Sequence, residues 1–224
     1  FFGLSPQVGF DIILHLASLV VILLVFRKDI LSLIRGVFRR EKYFLKYFGW
    51  LIIASMPIAA VGLLFKDQII ATYSNFYLLG FSFLFNSIVL FASRFPRKKT
   101  KPLSFISTAI IGVGQAVALL PAVSRSATTI SVGLLQGRKR EDVARFSFLL
   151  LIPAILGASI LEMSTLVSTL KDFTSGPAVI LGAVTTIIVG FLSLRFLLRV
   201  IKSKNFYYFG WYSLILGIII LAFA

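Results

Sequence analysis

The sequence predicts an all-α polytopic membrane protein: about six transmembrane helices plus a re-entrant helix–turn–helix, built as an inverted-topology repeat. Three observations carry this. Of 224 residues, 58% are hydrophobic and 14% charged, with a mean hydropathy of +0.99; a soluble domain is about 25% charged. Six long apolar runs punctuate the chain, and no alternating barrel pattern replaces them, so backbone groups in lipid must be satisfied within helices. The 23 Lys+Arg, against 8 Asp+Glu, gather in short stretches between those runs. That is the positive-inside pattern, and it displaces the nucleic-acid reading that a net charge of +15 would otherwise invite. Attraction of anionic lipid is a secondary role for the same charges. There are no cysteines and one histidine, which excludes disulfide and thiol chemistry and the usual His-rich metal sites. No signal peptide is visible, and Phe1 in place of Met leads us to expect that the chain lacks its authentic N-terminus.

The runs are 10–26, 48–65, 76–91, 146–163, 178–194 and 206–224, each long enough, or nearly so, to cross a bilayer. Pro57 and Pro153 fall inside two of them and predict kinks. The first run is followed by Arg27, Lys28, Arg35, Arg39, Arg40, Lys42 and Lys46, the second by Lys66 and Asp67 only, the third by Arg94, Arg97, Lys98, Lys99 and Lys101. Residues 103–136 are flanked by basic residues at both ends, with Arg138, Lys139, Arg140 and Arg145 following. The segment must therefore enter and leave on the cytoplasmic side, yet it is too short for two full spans of about 20 residues. A re-entrant hairpin turning near 121–125 fits. Irregular backbone at that depth needs protein or a water-filled cavity around it.

The same bookkeeping predicts symmetry within a single membrane domain, 1–224. Residues 103–224 read as a re-entrant segment (103–136) followed by three spans; residues 1–93 read as three spans of opposite sense without a re-entrant segment. The symmetry leads us to expect a partner segment before Phe1, entering from outside.

The hairpin carries the chemistry. Pro121-Ala122-Val123-Ser124-Arg125-Ser126-Ala127-Thr128-Thr129 sits where apolar residues belong. An arginine at that depth costs roughly 2.5–3.5 kcal/mol on insertion scales, so it marks a site by default. Pro121 favours the first turn of a helix, whose free N–H groups and positive dipole end would face the turn. With the guanidinium fork of Arg125 and the hydroxyls of Ser124, Ser126 and Thr129, they would form an oxyanion cradle suited to a phosphoryl group. The competing account makes the hydroxyls helix caps and lets Arg125 snorkel to the surface. Gln115, in Gly112-Val113-Gly114-Gln115, could orient substrate or water, and the glycines suit close helix packing. Asp11 and His15 are spaced i, i+4 and could pair near the outer end of the first helix. Glu162 reads as an interfacial carboxylate and Arg145 as an anchor for the fourth span. No pair of membrane-buried carboxylates is present, so the residues offer a grip for an anion without an evident base.

The motif resembles the Pro-Gly-x-Ser-Arg-Ser-Gly-x-Thr signature of the undecaprenyl-diphosphate phosphatase family, the bacterial bacitracin-resistance proteins. Residues 115–120, 144–150 and 10–16 also resemble that family, and the likeness covers essentially the whole chain. Both motif glycines are alanine here, Ala122 and Ala127. The family's other motif, a Glu-x-x-x-Glu stretch followed by Pro-Val-Ser-Ser-(Ser/Thr)-Gly-His, belongs before the part matching Phe1, and none of its residues can be carried onto this chain. The resemblance implies hydrolysis of undecaprenyl diphosphate to the monophosphate, recycling the carrier for cell-wall synthesis. It implies a multi-pass protein of the bacterial cytoplasmic membrane, a divalent cation (Mg²⁺ or Ca²⁺) whose ligands in this chain are unknown, and competition with bacitracin for the lipid. Carried residue by residue, it puts Ser124, Arg125, Ser126 and Thr129 in the diphosphate site, with Arg125 and Ser124 as the catalytic pair and Ser126 and Thr129 at the substrate; Gln115 and His15, read from their own positions, are added as substrate-binding candidates. A homodimer is allowed by the sequence and not fixed by it. Two rivals stand beside this reading: a lipid-carrier transporter or flippase, and a non-catalytic lipid-diphosphate binder.

Overall fold

A computed structural model describes residues 8–95, 101–161 and 176–224, with the side chains of Val8, Gly9, Asp11, Gly176 and Ala178 excepted. The described residues form helices and no strand. In order they are α1 (Val8–Val25), α2 (Arg27–Phe38), α3 (Lys42–Leu64), α4 (Lys66–Thr72), α5 (Phe76–Ala92), α6 (Phe105–Val117), α7 (Arg125–Leu135), α8 (Arg140–Leu149), α9 (Leu151–Leu161), α10 (Gly176–Lys202), a 3₁₀ turn (Phe206–Tyr208) and α11 (Phe209–Phe223). Glu162 lies outside the described residues, as does the side chain of Asp11, so the expected Asp11–His15 pairing is not described.

The described part of every expected apolar run is helical, apart from single residues at helix breaks and ends. Four stretches are long and apolar enough to cross a bilayer: Lys42–Leu64, Arg140–Leu161, Val179–Lys202 and Phe206–Phe223. A fifth forms if α4 and α5, bent by 93° at their junction, count as one span. α1 is apolar over Ile12–Val25 and shorter. The protein is thus an all-helical, multi-pass membrane protein. Two helices fall where the sequence reading had loops. α2 forms because Ile30 and Leu33, one turn apart, pack on the core while Arg27, Lys28 and Arg35 stay outside. α4 is a single exposed stretch across the foot of α5.

Pro57 lies within α3, as expected. Pro153 interrupts the Arg140–Leu161 span, as expected. The helix breaks at Leu150, and Pro153 then occupies the first turn of α9, where a missing N–H has no intrahelical partner to lose.

Small residues set the helix contacts. A Cβ on Gly112 of α6 would lie 2.6 Å from the Ala54 carbonyl oxygen of α3, so the two backbones touch only because Gly112 has none. Gly80 of α5 and Gly217 of α11 face each other: their added Cβ atoms would lie 3.4 and 3.1 Å from the opposite glycine's carbonyl oxygen. The Phe91 and Trp211 rings meet edge-to-face at 5.1 Å further along that pair. α1 packs on α10 and α9. The central core, with Ile111, Ile130, Leu134, Val143, Phe146 and Leu150 fully buried, gathers α6, α7 and α8 against α3.

Candidate active site

The site is built on the α6–α7 hairpin, so its frame comes first. α6 has 13 residues and α7 has 11, about 20 and 16 Å of helix, against a hydrocarbon core of about 30 Å. The hairpin's two ends are stitched together. The Lys101 N–H donates to the Gly137 carbonyl at 2.9 Å, the Lys139 N–H to the Lys101 carbonyl at 3.3 Å, and Arg138 Nη1 to the Pro102 carbonyl at 2.6 Å. Entry and exit therefore lie at one end and the turn at the other, the geometry that the basic flanks predict.

Helix α6 starts with a capping box in which Ser104 and Ser107 satisfy each other's backbone N–H groups. Helix α7 starts later than expected. Pro121 is not in its first turn. Instead the Val123 N–H donates to the Leu120 carbonyl at 3.3 Å, which makes 120–123 a β-turn with proline at its second position. Ala122 follows with φ of 61°, the positive value that a type II turn requires at its third position. Glycine supplies that angle without strain, and alanine does not. Proline's fixed φ suits the turn better than the helix here, which moves the helix start to Arg125.

Ser124 is then the N-cap, and its Oγ accepts the Ala127 N–H at 3.3 Å while the side chain stays exposed at the hairpin tip. The Thr128 N–H donates to the Ser124 carbonyl. The N–H groups of Arg125 and Ser126, in the first turn of α7, face the tip without an intrahelical partner.

Arg125 is half-buried and is held by Gln115. Its Nε and Nη2 both donate to Gln115 Oε1, at 2.9 and 2.6 Å. Gln115 is 0% exposed and donates through Nε2 to the Ala54 carbonyl at 3.4 Å. The chain of support runs from the α3 backbone through an amide to the guanidinium. Gln115 is neutral, and among the described residues Arg125 has no ion pair; the described pairs, Arg145–Asp29 and Lys202–Glu141, both at 3.1 Å, lie elsewhere. The first of them ties the start of the fourth span to α2, the anchoring role expected of Arg145. Arg125 does not snorkel: two of its five N–H donors are engaged by Gln115, and the rest are open to an anion.

The structure thus brings Gln115, Ser124 and Arg125 together, with Ser126 half-buried beside them in the first turn of α7. Thr129 differs: it is 1% exposed, and its hydroxyl donates to the Arg125 carbonyl at 2.9 Å, so its proton is directed to the helix backbone. Thr128 does the same toward the Ser124 carbonyl. His15 is exposed on α1, the helix packed on α9 and α10, and belongs to that wall of the bundle. The described residues contain no group of three or more His, Cys, Asp or Glu that could hold a metal ion.

Two residues at the site escape the sequence reading. Asn86 on α5 is 3% exposed; its Oδ1 accepts the Ser124 N–H at 3.1 Å, and its Nδ2 donates to Ser213 Oγ of α11 at 2.8 Å. The signal was an amide inside an apolar run, a weaker mark than a buried charge and one that does not say what the amide touches.

Comparison with known proteins identifies relatives over nearly the whole chain. The family model described as bacitracin resistance protein BacA matches residues 1–219. An undecaprenyl-diphosphatase of Methanosphaera stadtmanae is 35% identical over 97% of this chain and 84% of its own length. Proteins of the same name from Carboxydothermus hydrogenoformans and Mycolicibacterium smegmatis are 34% and 33% identical, over 98% and 99% of this chain and 84% of each relative.

Proposed function

The chain belongs to the bacitracin resistance protein family, and from that premise we propose that it hydrolyses undecaprenyl diphosphate to undecaprenyl phosphate and inorganic phosphate. The observation that supports this most directly is the half-buried Arg125, fixed by a neutral amide, with open donors beside the free N–H groups of a helix start.

The chemistry follows from that arrangement. Attack on the terminal phosphorus breaks the bridging P–O bond, whose electron pair leaves on the lipid monophosphate, and the elements of one water are added overall. Negative charge builds on the terminal phosphoryl oxygens and on the bridging oxygen. Arg125 and the first N–H groups of α7 meet the phosphoryl oxygens without having to reorganise, because Gln115 and the Ser124 cap hold them beforehand. The Ser124 and Ser126 hydroxyls supply further hydrogen bonds at the tip. The exposed face of α6, Ile106, Ile110, Val113 and Val117, offers the prenyl chain an apolar path along the hairpin.

A divalent cation, Mg²⁺ or Ca²⁺, is part of the proposal through the family. The described residues offer no ligand set that fits it, and no step above passes through it. The inverted repeat, placement in the bacterial cytoplasmic membrane, and competition with bacitracin for the lipid diphosphate belong to the same proposal.

Phosphate release from undecaprenyl diphosphate by the full-length protein in lipid nanodiscs tests the reading, with Mg²⁺ and with EDTA. We expect release that EDTA suppresses. Saturable binding of the lipid with no release under either condition would overturn the phosphatase and favour the non-catalytic binder.

A further inference from the structure

The turn of the hairpin packs on the bundle through the buried Pro121 and Val123 but shares few hydrogen bonds with it. Its backbone hydrogen bonds are local: Ala118 to Gln115, Leu119 to Ala116, Leu120 to Val117, and Val123 to Leu120. Among the described residues, the hydrogen bond that ties residues 118–124 to another part of the protein is the one from the Ser124 N–H to Asn86 Oδ1, at 3.1 Å.

Asn86 stands on firm ground. Its helix, α5, meets α11 at Gly80 and Gly217, and Phe91 closes on Trp211. Between those contacts Asn86 Nδ2 donates to Ser213 Oγ at 2.8 Å, which orients the amide and turns Oδ1 toward the hairpin. The residue it grips is the N-cap of α7. An N-cap's backbone sets both the start of the helix axis and the direction of its own side chain. One amide thus fixes the exposed Ser124 hydroxyl and the first free N–H groups of α7 together. Gln115 fixes the guanidinium from the opposite side, through α3.

We propose that Asn86 is a positioning residue for the phosphoryl site, holding the Ser124 cap from the α5–α11 pair so that Ser124 and Arg125 converge on one phosphoryl group. The catalytic part of this rests on the phosphatase reading above. Asn86 touches no reacting atom; it acts through the Ser124 backbone.

The test uses the full-length protein in nanodiscs and two variants. Asn86→Leu keeps the size and removes the acceptor, while Ser213→Ala leaves the acceptor and frees its anchor. Two readouts are taken: steady-state phosphate release, and deuterium exchange of the peptide containing Ser124. For Asn86→Leu we expect kcat to fall about tenfold to a hundredfold, with KM within about threefold of wild type, and faster exchange at Ser124. Ser213→Ala should move both readouts the same way by a smaller step, and it carries the test if Asn86→Leu does not fold. Unchanged exchange at Ser124 overturns the proposal, as does a loss of activity that only follows the loss of folded protein. If the wild type releases no phosphate while Asn86→Leu still speeds exchange, the phosphatase reading fails, and with it the catalytic role, while the tether stands.

Discussion

Gln115 and Arg125 face each other across the hairpin, and one oxygen of the glutamine accepts both the Nε and the Nη2 hydrogens of the arginine, at 2.9 and 2.6 Å. The pairing fixes the plane of the guanidinium without neutralising it. A carboxylate in the same place would hold the arginine equally well and cancel the charge that an anion needs.

That contrast gives the first prediction. Gln115→Glu should form an ion pair with Arg125 and weaken substrate binding, raising KM about tenfold or more. Gln115→Leu should instead loosen the guanidinium and lower kcat by about tenfold to a hundredfold. Steady-state phosphate release separates the two; equal effects on both constants in both variants would refute the assignment.

Arg125 itself should be indispensable. Arg125→Ala should reduce turnover to background. Arg125→Lys should recover only a minor fraction, because an ammonium cannot donate two parallel bonds to one glutamine oxygen while still facing a phosphoryl group. Near-normal release by either variant would remove Arg125 from the site.

Ala122 adopts a φ of 61° at the third position of its turn. Ala122→Gly should relieve about 1 kcal/mol of backbone strain, raising the thermal midpoint by about 2–4 °C in the same detergent. Ala122→Val, β-branched and poorly suited to that angle, should lower it. A glycine variant less stable than the parent would mean that the turn is not under strain.

Gly112 tests the contact between α3 and α6. A Cβ there would lie 2.6 Å from the Ala54 carbonyl oxygen, so Gly112→Ala should destabilise by about 1–3 kcal/mol and disturb Gln115, one turn away. Gly49 and Gly157 have nothing within 4 Å of an added Cβ, and alanine at either should be neutral or mildly stabilising. Thermal midpoints and folded yield of the three variants decide the matter.

Much of this was legible in the sequence because membrane proteins concentrate their information. Apolar runs mark helices, and basic flanks on both sides of 103–136 are enough to fold it back on itself, as the Lys101–Gly137 stitch shows. Ser124, Arg125 and Ser126 stood out as polar groups in a greasy segment, and they do share one tip. The start of α7 was misplaced by a few residues, because proline's φ suits a turn as well as a helix start and only the path of the chain decides between them. α2 was hidden by its charges, which mask a helical period in a basic stretch. Asn86 and Ser213 were hidden for another reason: their meaning comes from a contact between distant parts of the chain, which no local pattern encodes. Thr129 shows the converse, a motif hydroxyl that the helix itself takes up.

The sequence order of the hairpin's supports bears on how the protein is made. Ala54 and Asn86, which receive Gln115 and Ser124, both precede residues 103–136, so these docking points have left the ribosome before the hairpin appears. A short segment bearing an arginine is a poor candidate for entering lipid on its own. Here it emerges beside helices that already offer it a carbonyl and an amide. Ser213, which orients that amide, follows the hairpin in the chain, so the final locking of the Ser124 cap waits for α11 to emerge.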